Sequence, residues 1–153
     1  MAETSSRILD AIKEFFDFRL LKFTYSGDAL YVEVNLEKTF NAVDIFVHVE
    51  DDGFTVHFYL PIKAPDNVTK VKVAEFINRA NCEMSYGRFE LDFDSGDVRF
   101  KTSHFCGGNV PSNEAIEHAI FGGIKEIEWY GDALSRVIRG VSTPREALDN
   151  LYV

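Results

Sequence analysis

The sequence predicts a single α+β domain in which helices pack on an antiparallel sheet, in the order helix, three strands, helix, two strands, long helix. Apolar residues recur at helical spacing in three segments and at period two in the segments between them. Tight turns join the strands, without the strand–helix–strand alternation of a parallel sheet. A chain of 153 residues, 46% of them hydrophobic, indicates one domain over 1–153.

The first helix is predicted over roughly residues 6–18, with Ser5 or Ser6 as its cap. Apolar residues three and four apart share one face of this helix and are expected to enter the core. They are Ile8, Leu9, Ile12, Phe15 and Phe16. We expect an additional strand over residues 20–25, directly after the helix.

A turn at Ser26–Asp28 leads into residues 29–36, which alternate between apolar and polar side chains as a strand with one wet face does. The next two strands, residues 43–49 and 54–60, flank Asp52-Gly53, a dipeptide that favours a type I′ hairpin. That turn pairs Val49 with Val56, Val47 with Phe58 and Ile45 with Leu60 on one face, and His48 with His57 and Phe46 with Tyr59 on the other.

Residues 61–65, with two prolines, are expected to stop this strand, and Asp66 or Asn67 then caps a second helix that ends near Cys82. Its apolar residues are Val68, Val71, Val73, Phe76, Ile77 and Ala80.

A second hairpin is predicted from Arg88–Asp94 and Asp97–His104, with the turn centred between Ser95 and Gly96. This register pairs Phe93 with Val98, Leu91 with Phe100, Phe89 with Thr102, Asp92 with Arg99 and Glu90 with Lys101. One face is then apolar and the other is a ladder of ion pairs.

The long last helix is expected to begin at Ser112 or Asn113 and to end at Gly140, with Gly122-Gly123 marking a bend or a close crossing. A short helix follows, with Pro144 in its first turn. The core stripe of the long helix is Ile116, Ile120, Ile127, Leu134 and Ile138.

Composition narrows the classes of function. The net charge of −9 argues against a nucleic-acid partner, which needs clustered Lys and Arg. Without an apolar run of eighteen residues or a signal-like start, we expect a cytoplasmic protein with no membrane contact. Two cysteines, Cys82 and Cys106, suit a reducing compartment.

Five residues form the candidate binding site: Tyr31, Phe46, His48, His57 and Tyr59. The predicted register places the two histidines side by side on the wet face, amid unusually many aromatic rings. Polar residues on a wet strand are the favoured interpretation of the histidines. Zinc sensing is the alternative, although only Glu33 and Glu50 offer further ligands. The aromatic rings fit a protein interface or cover by a helix better than a small-molecule pocket.

Other residues that could bind a metal or act as nucleophiles are expected to have structural roles. His104 and Cys106 continue the inward parity of their strand and are expected to be buried, and Cys82 is expected to fill space in the core. Glu126 and Glu128 fit a solvated helix face. The sequence thus shows no catalytic constellation, metal set or cofactor motif, although an unpositioned Cys–His pair is left open.

Three segments carry a family resemblance: EFINRAN at 75–81, YGRFELD at 86–92 and GDVRF at 96–100. They resemble the middle of the YbjN family of bacterial sensory transduction regulators, with the match covering roughly residues 65–140. The resemblance implies a fold similar to the type III secretion chaperones, which are acidic, cytoplasmic, usually homodimeric and bind partner chains without catalysis. The strand at 20–25 and the tail after Gly140 depart from that pattern.

These observations predict a non-enzymatic, protein-binding or chaperone-like regulatory module, expected to be a homodimer. The alternative is a small-molecule carrier or enzyme with an apolar cavity under the long last helix. Residues 1–60 hold 11 acids and 5 bases, whereas residues 61–153 hold 14 and 11. A partner steered by charge should therefore carry a basic surface and meet the N-terminal part.

Overall fold

The structure is a computed structural model that describes residues 3–27 and 29–153. Asp28, the last residue of the turn predicted after the first helix, lies outside the described residues. The elements are α1 (Glu3–Phe18), β1 (Thr24–Tyr25), β2 (Leu30–Asn35), β3 (Ala42–Glu50), β4 (Gly53–Lys63), α2 (Asn67–Glu83), β5 (Arg88–Leu91), β6 (Asp97–Phe105), α3 (Asn113–Glu117), a π-helical turn (His118–Gly122), α4 (Gly123–Ile138), α5 (Pro144–Asp149) and a 3₁₀ turn (Asn150–Tyr152).

The fold is α+β, as the alternation of helical and period-two patterns predicts. The six strands form one antiparallel sheet in the order β1-β2-β3-β4-β6-β5. Helices α1, α2 and α4 pack against the sheet and enclose a continuous apolar core with it. The predicted stripes of α1 and of the long helix supply much of that core, and of these residues only Ile138 is less than fully buried.

The start of the chain differs from the prediction in two ways. Helix α1 begins at Glu3, so Ser5 and Ser6 lie inside the helix and neither occupies the capping position. The strand expected over residues 20–25 is reduced to β1; Leu20, at a positive φ of 57°, instead ends α1, where the Leu21 N–H donates a hydrogen bond to the Phe16 carbonyl.

The β3–β4 hairpin has the predicted faces but a different register. Glu50 pairs with Gly53, so Asp51 and Asp52 form the turn, and neither they nor Gly53 has the positive φ of a type I′ turn. Every cross-strand partner is therefore displaced by two residues from the prediction. Gly53 serves packing instead, since a Cβ there would lie 2.4 Å from the His104 carbonyl oxygen of β6.

The strand stops within residues 61–65 as predicted, but three residues later than the predicted Leu60, because β4 continues past Pro61 as far as Lys63. The pairing shifts between Tyr59 and Lys63, which places Pro61 inside a bulge. Proline is tolerated there because a bulged residue leaves the hydrogen-bonded ladder.

The β5–β6 hairpin is also displaced by two residues from its predicted register. Glu90 pairs with Arg99 and Leu91 pairs with Val98. The reason lies in the turn: the Asp92 carboxylate accepts hydrogen bonds from the backbone N–H groups of Asp94 and Ser95, so Asp92 caps a longer loop instead of facing Arg99. Gly96, at a φ of 81°, closes that loop.

The helical layer begins and ends largely as predicted. Asp66 caps α2 through Thr69, and Ser112 caps α3 through Ala115. The long helix is continuous through its glycine pair, but it contains the π-helical turn just before Gly123.

Gly123 lies against the sheet, where a Cβ would come within 2.5 Å of the Phe58 ring. Of the apolar residues predicted along α2, Val68 and Val71 are exposed, whereas Val73, Phe76, Ile77 and Ala80 are buried. Thr143 and Glu146 form a capping box at α5, with Pro144 in its first turn.

Candidate functional site

The candidate site is the face of the sheet opposite the helices, hereafter the outer face. The core residues of β2, β3 and β4 point toward the helices, so the alternate residues point away from them. No helix in the described part of the chain packs over this side. The structure brings the five predicted residues together there as one cluster: Tyr31, Phe46, His48, His57 and Tyr59.

The aromatic rings of the cluster form a row across three strands. The Phe46 ring lies 5.0 Å from the Tyr31 ring and 5.4 Å from the Tyr59 ring, between ring centres. The Tyr31 hydroxyl donates a hydrogen bond of 2.7 Å to the Asp44 carboxylate. This bond raises the pKa of Tyr31 and fixes the ring at the acidic side of the face. The row is a preformed, partly apolar surface of the kind that proteins use for contacts.

The two histidines meet, although the predicted pairing is wrong. His48 pairs with Thr55 and His57 pairs with Phe46, so the histidines are diagonal neighbours, with ring centres 5.2 Å apart and the rings nearly perpendicular. Burial lowers the pKa of His57, and the charges of Lys101 and His48 lower it further. His57 Nδ1 is buried and has no hydrogen-bond partner within the described residues.

Charge divides the outer face into two halves. Glu33, Asp44 and Glu50 lie on the outer face of β2 and β3, and Arg88, Arg99 and Lys101 lie on that of β5 and β6. Glu90 and Asp97 are acids in the basic half, but Glu90 forms ion pairs with Arg88 at 3.0 Å and with Lys101 at 3.7 Å, and Asp97 forms one with Lys63 at 3.7 Å. Strand β4, with Thr55, His57 and Tyr59 outward, separates the halves.

Asp44, Arg99 and Lys101 also lie on the outer face, beside the five-residue cluster. Arg99 lies 5.6 Å from the centre of the Tyr59 ring, and its Nε is buried without a partner among the described residues. The alternation along β6 predicts that Arg99 and Lys101 point outward. What the sequence lacked was the strand order, which sets β6 beside β4.

A metal site would need more ligands than the cluster provides. Among residues 3–27 and 29–153, no three His, Cys, Asp or Glu side chains are grouped to hold a metal ion. Glu50, one of the two predicted oxygen donors, instead accepts a hydrogen bond from the Thr55 hydroxyl at 2.9 Å.

The two cysteines and His104 are less buried than the sequence predicts. Cys82 is exposed, and Cys106 and His104 are half-buried at the end of β6, so their predicted burial is wrong. Burial raises the pKa of the Cys106 thiol, which makes it a poor nucleophile.

The two glutamates of the long helix are not simply solvated. Glu128 accepts hydrogen bonds from the backbone N–H groups of Glu37 and Lys38, so it anchors the β2–β3 loop. Partial burial raises the pKa of Glu126, which lines an open groove of about 650 Å³ beside the π-helical turn. The Tyr86 and His118 rings stack at 4.0 Å in the same region.

The alternative function, a small-molecule carrier or enzyme, requires an apolar cavity under the long last helix. At Gly123 the helix contacts the Phe58 ring directly, and the buried side chains of α4 belong to the continuous core. The groove beside the π-helical turn opens at the surface and is lined mainly by polar and charged residues.

No helix formed by the described residues combines the length and apolarity needed to cross a bilayer.

Comparison with known proteins agrees with this fold. The family model of YbjN, described as "putative bacterial sensory transduction regulator", matches residues 9–136. No curated protein sequence matches the chain. The crystal structure of YbjN from E. coli, described as a putative transcription regulator, superposes with a TM-score of 0.59 at 14% identity, covering 85% of this chain and 87% of that one. The structural likeness shows a shared fold, and the family match over most of the chain shows that this protein belongs to the YbjN family.

Proposed function

We propose that this protein is a non-enzymatic regulatory module of a bacterial cytoplasm that works by binding another protein chain through its outer face. The observation that carries the proposal is the outer-face cluster, a preformed row of aromatic rings that no described helix covers. Its family's description as regulators supports a binding role.

The charge pattern limits the partner. The acidic half, with Glu33, Asp44 and Glu50, favours a partner that presents basic groups at its contact surface. The aromatic row supplies apolar contact area next to these acids. Chaperone-like binding and a homodimer, both implied by the family resemblance, are consistent with such a surface.

The proposal is tested by affinity purification of the tagged chain, co-expressed with an untagged copy in its bacterial host, followed by partner identification. We expect Phe46→Ser to abolish recovery of the bound chain, because it removes the centre of the aromatic row. Val71→Ser is the matched control, since Val71 is exposed on α2 and lies outside the outer face. Recovery of no protein chain, or undiminished recovery with Phe46→Ser, would overturn the proposal.

A further inference from the structure

The strand registers arrange the outer face in rows that cross the sheet. One row contains an acid on β3, a base on β6 and Tyr59 on β4 between them; the next contains aromatic rings on β2 and β3 and bases on β5 and β6. The first row is Glu33, Asp44, Tyr59, Arg99 and Glu90, and the second is Tyr31, Phe46, His57, Lys101 and Arg88. Together the two rows carry two acids and two aromatic rings on one side of β4, and three bases with one acid, Glu90, on the other.

A surface divided in this way is complementary to itself after a half-turn. A two-fold axis parallel to β4 exchanges the two sides of the face, so β3 of one copy lies over β6 of the other and β2 lies over β5. An axis perpendicular to the strands would instead set β3 over β3 and bring acids against acids. Two-fold interfaces use the same patch on both copies, so the charges select the axis along β4.

We propose that the outer face binds a second copy of this chain, face to face, about a two-fold axis that runs along β4. This inference rests on the proposed function and names its partner: the basic surface that the acidic half requires is present on the chain itself.

The rows specify the contacts across the axis. Asp44 of one copy faces Arg99 of the other, which gives Arg99 a carboxylate partner. In the next row Phe46 faces Lys101 and Tyr31 faces Arg88, pairings that suit a cation over an aromatic ring. Glu33 faces Glu90, but Glu90 is already paired with two bases of its own chain.

The size of the face is adequate for a stable dimer. Strands β2 to β6 contain 39 residues, which at about 3.3 Å per residue and about 4.8 Å between strands give a plan area of roughly 600 Å². Standard protein interfaces bury about 800 Å² from each partner, and side-chain relief makes accessible area larger than plan area. Packed sheets of this kind align their strands within about 30°.

The test exchanges one charge pair and measures association by sedimentation equilibrium at total concentrations from about 1 to about 100 µM. We expect the wild-type chain to dimerise, and Asp44→Arg and Arg99→Asp each to weaken the dimer at least about tenfold, because each sets like charges against one another across the axis. The double variant, and an equimolar mixture of the two single variants, should both return to within about threefold of the wild-type dissociation constant.

Asp10→Arg on the exposed side of α1 is the matched control and should leave the dissociation constant unchanged. Circular dichroism of the dilute variants confirms folding, and the mixture tests charge pairing even where one variant is less stable. A monomeric wild-type chain, unchanged dimerisation of Asp44→Arg, or failure of the mixture to associate would overturn the inference. If the wild-type chain is monomeric but Phe46→Ser still abolishes capture of a different protein, the inference fails and the proposed function stands.

Discussion

At the scale of single residues, Asn81 has a structural role that its place in the EFINRAN segment did not reveal. Its side-chain amide donates to the Phe89 carbonyl at 3.1 Å, and its side-chain oxygen accepts from the Phe89 N–H at 2.9 Å. The side chain thus satisfies both polar groups of one residue of β5, an edge strand, and ties that strand to the end of α2.

Asn81→Ala should lower the free energy of unfolding by about 1–3 kcal/mol, because it leaves a part-buried backbone donor and acceptor without partners. Urea unfolding monitored by circular dichroism measures the change. Asn78→Ala, at an exposed position of the same helix, is the control and should change stability by less than about 0.5 kcal/mol. Equal losses for the two variants would contradict the role given to Asn81.

His57 predicts a pH dependence of stability. Its pKa in the folded chain lies below the ordinary value of 6.5, so the folded state holds fewer protons on this ring than the unfolded state does. The stability that depends on a neutral His57 ring is therefore fully present above pH 6.5, and it is lost as the pH falls from 6.5 through the lowered pKa.

His57→Gln should lose less stability than the wild-type chain between about pH 7.5 and about pH 5.5. Urea unfolding at both pH values measures this difference, at a concentration where the chain is monomeric. His118→Gln, which lies outside the outer face, controls for the loss of a histidine. An identical pH dependence of the wild-type chain and His57→Gln would contradict the assignment.

At the scale of elements, the long helix approaches the sheet through one glycine of an adjacent pair. A Cβ at Gly123 would lie 2.5 Å from the buried Phe58 ring, whereas a Cβ at Gly122 would lie 3.2 Å from the exposed His118 ring. The two positions offer the same gain in helix propensity, about 1 kcal/mol for Ala over Gly, so their difference isolates the packing.

Gly123→Ala should be less stable than Gly122→Ala by about 1–2 kcal/mol, because overpacking a filled core displaces a side chain that has no room to move. Thermal and urea unfolding of the two single variants provide the comparison. Equal stabilities would show that the helix can shift away from Phe58 without cost.

The two hairpins illustrate how far local sequence specifies an element. In both, the alternation assigns each side chain to the correct face, because parity survives a displacement by two residues. The register depends on turn chemistry: Asp51-Asp52 forms the first turn although Asp52-Gly53 is the more typical dipeptide, and Asp92 caps a longer second loop. At Gly53, strand β6 lies too close to leave room for a side chain, and this contact joins segments that are far apart in sequence.

At the scale of the whole molecule, the chain carries a net charge of −9, while the outer face sets acids on β2 and β3 apart from bases on β5 and β6. Attraction between the acidic half of one copy and the basic half of another is screened by salt. Raising the NaCl concentration from about 50 mM to about 500 mM should therefore weaken the dimer several-fold. Sedimentation equilibrium at both concentrations measures the effect, and the Asp44→Arg variant should show a smaller or reversed dependence. Dimerisation strengthened by salt in the wild-type chain would indicate an interface that is mainly apolar.

The sequence by itself determined the fold class, the strand faces, the core stripes of α1 and the long helix, and the gathering of Tyr31, Phe46, His48, His57 and Tyr59 on one face. These follow from periodicity, which is a local property of the chain. Only the tertiary structure decided the registers, the bulge at Pro61, the anchoring roles of Asn81 and Glu128, and the adjacency of β4 and β6. Each of these depends on contacts between segments far apart in sequence, and that adjacency sets the bases of β6 across β4 from the acids of β3.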